Sequence, residues 1–269
     1  MKNQFRAALA SGRRLLGTHV NLTDHRVCEM LGSVGFDYLW IDMEHISTSF
    51  HEMETHLIAA KAAGTPSMVR VTWNDIPNIK RVLEAGPDAI VVPMVNSVED
   101  ARRAIDTCIY PPEGRRGFGP CRAIRYGLDS VQDYIDHGSK ELCRFLQVET
   151  LDAVHAMEEV AKIPYVDGFV IGPMDLSGSV GELGHALQGE RTNAYIDLAI
   201  QKAHDAGKPI GLSTGADTAA ELAHWMSKGV DFISASTDMW SILKGAQDLL
   251  ALMQEVSGRY PRDEGGKAV

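Results

Sequence analysis

Short apolar runs recur along the chain, and most are introduced by one of two repeated punctuations. Gly35-Phe36-Asp37 precedes the run 38–41, and Gly86-Pro87-Asp88 precedes 89–95. Val166-Asp167-Gly168 precedes 169–171, and Gly229-Val230-Asp231 precedes 232–235. The second form, Ala63-Gly64-Thr65-Pro66 before 68–71, returns as Ala206-Gly207-Lys208-Pro209 before 210–212. With 15–22 and 144–149 these make eight predicted strands. Glycine at such points ends a helix and lets the chain turn into a strand. Helical spacing fills the intervals at 24–34, 51–63, 75–85, 97–108, 129–138, 151–161, 192–206, 217–228 and 239–256. In the first of these the apolar stripe is Val27, Met30, Leu31 and Val34. The strands are apolar almost throughout, as in a parallel sheet covered on both faces. Eight such units predict an α/β chain closed as a (β/α)8 TIM barrel over residues 1–257, followed by a polar tail at 258–269. A doubly wound open sheet is the alternative. No G-x-G-x-x-G follows the first strand, so a dinucleotide site has no support.

Length agrees, because 269 residues suit one barrel of about 250. Composition narrows the function. The formal net charge of −10 makes nucleic acid a poor partner. Cys28, Cys108, Cys121 and Cys143 show no C-x-x-C spacing and read as free thiols of a reducing cytoplasm. The N-terminal stretch lacks the apolar core of a signal peptide, and no run approaches about 18 apolar residues, so no membrane span is expected.

In a barrel, chemistry stands at the C-terminal strand ends. There the chain carries Asp42 with Glu44 and His45, then Arg70, Val92-Pro93, Gln147 with Glu149, Gly172 to Asp175, Ser213-Thr214 and Asp238. Singly, each has a bland explanation. Asp175 caps a short helix, Asp42 caps the next turn, a lone His is a satisfied structural group, and a strand-end Arg pairs with a surface acid. Jointly they point at one mouth and make a catalytic set. Glu149 and Asp175, each just past a short apolar strand, supply half of an oxygen-rich metal site. The side-chain-free Gly172 lets backbone approach a ligand. Such a set suits enolate formation from a 2-oxo acid. A divalent ion acts as Lewis acid, Arg70 faces the developing oxyanion, and His45 moves a proton with Asp42 or Glu84 orienting it. No lysine ends a strand, which argues against a Schiff base. The loop 110–127 holds Gly, Pro and Arg. Six arginines against two acids lie between 101 and 127, and one or two near the mouth would steer an anion.

The segments I-D-M-E-H, M-V-R-V-T-W-N-D, V-V-P-M-V, Y-P-P-E-G-R-R-G-F-G-P, L-Q-V-E-T and F-V-I-G-P-M-D-L-S resemble those of the HpcH/HpaI family of metal-dependent pyruvate aldolases, over about 15–256. The resemblance implies a pyruvate-type barrel that cleaves 4-hydroxy-2-oxo acids to pyruvate and an aldehyde in the catabolism of aromatic or sugar acids. It places Mg, Mn, Co or Zn on Glu149 and Asp175, a base at His45, and a transition-state arginine at Arg70. It places pyruvate on Gln147 and on the Gly172-Pro173-Met174-Asp175 turn, with Leu212 and Ser213 beside it. Where family members commonly carry Asp, this chain has Glu84, so Asp42 competes for the role of orienting His45. Trp73, Phe118 and Arg122 join Leu212 as candidates for the aldehyde pocket. The resemblance also implies a last helix exchanged between subunits in a homohexamer, a trimer of dimers. The apolar residues of 239–256, among them Trp240, Ile242, Leu243, Leu249, Leu250, Leu252 and Met253, agree with an oligomer. The competing readings are a lyase acting on an acyl-CoA thioester, for which no phosphate motif is visible, and a non-catalytic 2-oxo acid binder, which would not need both His45 and Arg70.

Overall fold

In the computed structural model, which describes residues 3–260, eight parallel strands close a barrel in chain order. They are Leu15–Val20 (β1), Tyr38–Asp42 (β2), Ser67–Arg70 (β3), Ala89–Val92 (β4), Cys143–Val148 (β5), Gly168–Ile171 (β6), Ile210–Thr214 (β7) and Phe232–Thr237 (β8). Residues 261–269 of the expected polar tail lie outside the described residues, and Gly258 and Arg259 belong to the last helix rather than to a tail.

The strands alternate, although their sequence hardly shows it. One set of side chains (Leu15, Tyr38, Trp40, Met68, Val91, Phe145, Val170, Phe232) fills the barrel. The other (Leu39, Ile41, Val69, Ile90, Leu146, Ile171, Leu212, Ile233) packs under the helices. Apolar demand on both faces hides the period of two. Apart from Ser234, buried against Tyr38, the inward positions turn polar in the last layer, at His19, Asp42, Arg70, Gln147 and Ser213. That layer is the floor of the mouth.

Two predicted strands stop early. Chain β1 ends at Val20 because the Asn21 and Leu22 amides donate to the Asp238 carboxylate at 3.0 and 2.9 Å. Chain β4 ends at Val92 because Pro93 lacks an N–H and Met94 turns with φ 55°. The Met94 amide then donates to Glu149 Oε1 at 2.6 Å.

One helix was not expected, and a second was foreseen only as the short helix that Asp175 would cap. Gln4–Leu9, capped by Asn3, closes the N-terminal end of the barrel. Its Phe5 is fully buried, edge-on to Tyr38, Phe145 and Phe232 at 5.1, 5.8 and 5.7 Å. Pro173–Ser179 follows β6, so Asp175 sits in a first helical turn whose N-cap is Gly172. The predicted helix 129–138 is present as one continuous helical stretch over 131–141, with a π segment, Tyr134–Gly138, between the α turns Val131–Asp133 and Ser139–Glu141.

The last helix, Asp238–Arg259, buries only Asp238. Trp240, Ile242, Leu243, Leu249, Leu250, Leu252 and Met253 are exposed, as is Leu16 on the outer face of β1.

Candidate active site

Strand register brings the polar layer together. Asp42 on β2 pairs with Arg70 on β3, and both point inward. The Arg70 guanidinium lies along the Asp42 carboxylate, with Nε at 2.9 Å and Nη2 at 2.6 Å. Its Nη1 stands 3.0 Å from Glu44, and its plane lies 5.5 Å from the Trp40 ring centroid. Burial pushes Asp42 up, but the Arg70 hydrogen bonds and charge outweigh it, so Asp42 stays ionised below its ordinary value. Burial weakens Arg70, and Asp42 and Glu44 more than offset this. Two of five guanidinium N–H groups are thus hydrogen-bonded, both to Asp42, while Nη1 meets Glu44 as an ion pair without a hydrogen bond, and the others are left for a ligand.

Opposite stand the other acids. Glu149 is 2% exposed, with Oε1 on the Met94 amide and Oε2 on the Gln147 amide nitrogen. The Gln147 Oε1 is buried with no partner. Burial raises Glu149, and Asp175 adds to the rise. Burial also lifts Glu44 to about 7, with Glu149, Asp42 and Asp175 contributing. Buried carboxylates that disfavour one another's charge make a place where a cation is welcome. A Cβ at position 172 would stand 3.2 Å from Gln147 Nε2 and 3.3 Å from Glu149 Cβ, so glycine keeps this corner open.

These groups border a cavity of ≈ 540 Å³ at the C-terminal mouth. Its lining includes Asp42, His45, Arg70, Gln147, Gly172, Pro173, Met174, Asp175 and Ser213, with Glu149 just behind. It also includes Thr214 and Thr237, and residues that sequence reasoning passed over, namely His19, Asn21, Leu187 and Trp225. His19 carried a signal, as a polar side chain within an apolar strand.

Several expected roles are corrected. Asp42 orients Arg70 rather than His45, since both its oxygens serve the guanidinium. His45 stands at the rim, 59% exposed, and its carboxylate neighbour is Glu44 at 3.8 Å. Glu84 is in the last turn of helix Ile76–Ala85, at the N-terminal end of the barrel, 3.7 Å from Arg116. Within one chain it does not reach His45. Leu212 points outward into the layer under the helices, because the alternation that turns Ser213 inward turns Leu212 away. Trp73, Phe118 and Arg122 do not line the cavity. Arg122 donates to the Ala85 and Leu57 carbonyls at 2.6 and 3.0 Å at the other end of the barrel. The arginine-rich loop therefore does not steer ligands into its own chain's mouth.

Among the described residues, no three His, Cys, Asp or Glu side chains converge as a closed metal cage, and no helix is long and apolar enough to cross a membrane. Two carboxylates and an unpartnered amide oxygen instead fit a hard cation that keeps positions for water and substrate oxygens.

The HpcH/HpaI aldolase/citrate lyase family model matches residues 15–253, and the chain belongs to that family. It is 34% identical over 251 residues to a 4-hydroxy-2-oxo-heptane-1,7-dioate aldolase of Klebsiella pneumoniae, covering 93% of this chain and 94% of that protein. A protein of the same name from Shigella sonnei is 32% identical over 251 residues, 93% of this chain and 95% of that one. The crystal structure of an HpcH/HpaI aldolase/citrate lyase family protein from Burkholderia cenocepacia superposes with a TM-score of 0.87 at 28% identity, covering 94% of this chain and all of that one.

Proposed function

We propose that this chain is a lyase that cleaves a 4-hydroxy-2-oxo acid to pyruvate and an aldehyde, with a divalent cation on Glu149 and Asp175. The observation that carries the reading is Arg70, buried and held by two acids, lining one cavity with Asp175 and close enough to Glu149 to feel its charge. When bound, the cation supplies Lewis-acid polarisation of the substrate's ketone. The all-oxygen donors favour Mg or Mn over Zn.

The C3–C4 bond breaks, its electron pair passes into the enolate of pyruvate, and the C4 hydroxyl proton leaves to a base. Arg70, already oriented, places the N–H groups that Asp42 does not take where the enolate oxygen develops. It needs no reorganisation during the reaction. Gln147 and the Met174 and Asp175 backbone hold the pyruvate half. His45 is the group at the rim that can accept the hydroxyl proton, with the Glu44 carboxyl 3.8 Å from its Nε2. The imidazolium so formed returns a proton to C3.

The last helix is unpartnered in one chain, and Leu16 lies bare on the barrel wall. This supports exchange of that helix between copies, in a homohexamer built as a trimer of dimers. Light scattering at micromolar concentration checks it, and a stable monomer would contradict it.

The test of activity is pyruvate release from a panel of 4-hydroxy-2-oxo acids with Mn or Mg present. Release is expected, and Asp175→Asn should weaken Mn binding measured by calorimetry. Cleavage of an acyl-CoA thioester with no pyruvate from any panel member would replace this reading.

A further inference from the structure

The side of the cavity formed by β1, β7 and β8 has its own polar device. His19, at the inward end of β1, is buried. Its Nδ1 stands 2.7 Å from the Ser236 carbonyl and its Nε2 2.8 Å from Ser213 Oγ. The chain invests in this arrangement. The β1–β8 register shifts between Gly17 and His19, and Ser236 is held at φ 56°, a left-handed conformation costly for a residue other than glycine. That distortion accompanies the placement of the carbonyl on the ring.

Donor and acceptor roles then follow. A carbonyl only accepts, so Nδ1 carries the hydrogen. Burial pushes His19 down to about 4, so the ring is neutral near pH 7 and Nε2 has only its lone pair. Ser213 therefore spends its hydroxyl hydrogen on Nε2. What it presents to the cavity is a pair of lone pairs. A ligand group meeting Ser213 has to bring a donor.

The surroundings agree. Thr214 and Thr237 add hydroxyls, and Asn21 Oδ1 is buried without a partner. Among the described lining residues, Arg70 is the one guanidinium or ammonium, and it is engaged by Asp42 and Glu44. No cation waits for a carboxylate on the aldehyde half.

We propose that His19 and Ser213 read the aldehyde half of the substrate: His19 is a positioning residue that aims the Ser213 lone pairs into the cavity, and the pair selects a hydroxylated aldehyde over an alkyl or carboxylated one. This rests on the aldolase reading above and names its acceptor class.

The experiment measures kcat/KM for aldol addition of pyruvate, with Mn, to glyceraldehyde, propanal and 4-oxobutanoate. The wild type is expected to favour glyceraldehyde over propanal by about tenfold, the worth of one hydrogen bond. Ser213→Ala and His19→Phe should each bring that ratio near one, and Ser213→Thr, which keeps the hydroxyl, should hold most of it. A purely structural role for His19 would lower all three acceptors together. An unchanged glyceraldehyde-to-propanal ratio in Ser213→Ala and His19→Phe, or a wild-type preference for propanal or 4-oxobutanoate, overturns the inference. Exchange of pyruvate methyl hydrogens in D2O, run alongside, separates the two levels. Exchange by the wild type with an unmoved ratio defeats only the acceptor assignment. Absence of exchange in the wild type defeats the enolate reading and the acceptor assignment with it.

Discussion

The two ends of the barrel use arginine in opposite ways. At the N-terminal end Arg122 is spent on the backbone carbonyls of Ala85 and Leu57, and Arg144 on those of Ser139 and Leu142. These guanidinium groups stitch loops to the wall, and Phe5 seals the floor. At the C-terminal mouth Arg70, the one guanidinium among the described residues that line the cavity, is held by Asp42 and Glu44 and keeps donors free over an open cavity. Along the sequence the arginine-rich stretch 101–127 looks the better anion site. Density of charge is a weaker guide than what each charge is already paired with.

The comparison breaks first, and by the largest amount, at Phe5. Phe5→Ala should cost about 3–5 kcal/mol in urea unfolding, as loss of a fully buried aromatic does, because the floor is a packing device. A loss below about 1 kcal/mol would mean the plug is dispensable. Arg70→Ala should leave the unfolding midpoint less affected and cut kcat by about 10²–10³-fold, since the mouth is built for charge. Arg70→Lys should restore only part, because a point charge cannot span Asp42 and a substrate oxygen together.

The next effect is pH-dependent stability at His19. The fold lowers this imidazole from 6.5 to about 4 through burial. The unfolded chain therefore binds a proton that the folded chain refuses between these values. Stability from this group is complete above pH 6.5 and is lost as pH falls toward 4. The full loss is about 3 kcal/mol at most. Urea midpoints for wild type and His19→Phe should therefore diverge between pH 7 and 4.5, the variant having the flatter slope. Parallel slopes would mean His19 is not neutral in the fold. Smallest is Arg122→Lys, expected to cost about 1–2 kcal/mol of stability by loosening the carbonyl clamp, with KM for pyruvate unmoved.

Much of this was legible in the chain. Gly-x-Asp and Ala-Gly-x-Pro punctuation marked most strand starts, because helix ends need left-handed residues, and Gly35, Gly64, Gly86, Gly207 and Gly229 all adopt positive φ. Strand-end reading brought Asp42, Arg70, Gln147, Glu149 and Asp175 to one place. Three things were hidden, for distinct reasons. Leu212 and Ser213 are neighbours in sequence but face opposite layers, and an apolar strand conceals which is which. Asp42 is as near to His45 in sequence as a partner would be, yet the register β2–β3 hands it to Arg70. The long loop 110–127 follows a helix, so it emerges at the floor, a topological fact that residue type does not encode.

The most direct test of the account is exchange of pyruvate methyl hydrogens in D2O, followed by NMR, with no aldehyde present. It isolates enolate formation at the mouth from every question of acceptor. The account predicts rapid exchange with Mn or Mg, loss of exchange in EDTA with recovery on adding Mn, and exchange about 10²–10³-fold slower in Arg70→Ala. Exchange that persists undiminished in EDTA, or that is the same in Arg70→Ala as in the wild type, would contradict it.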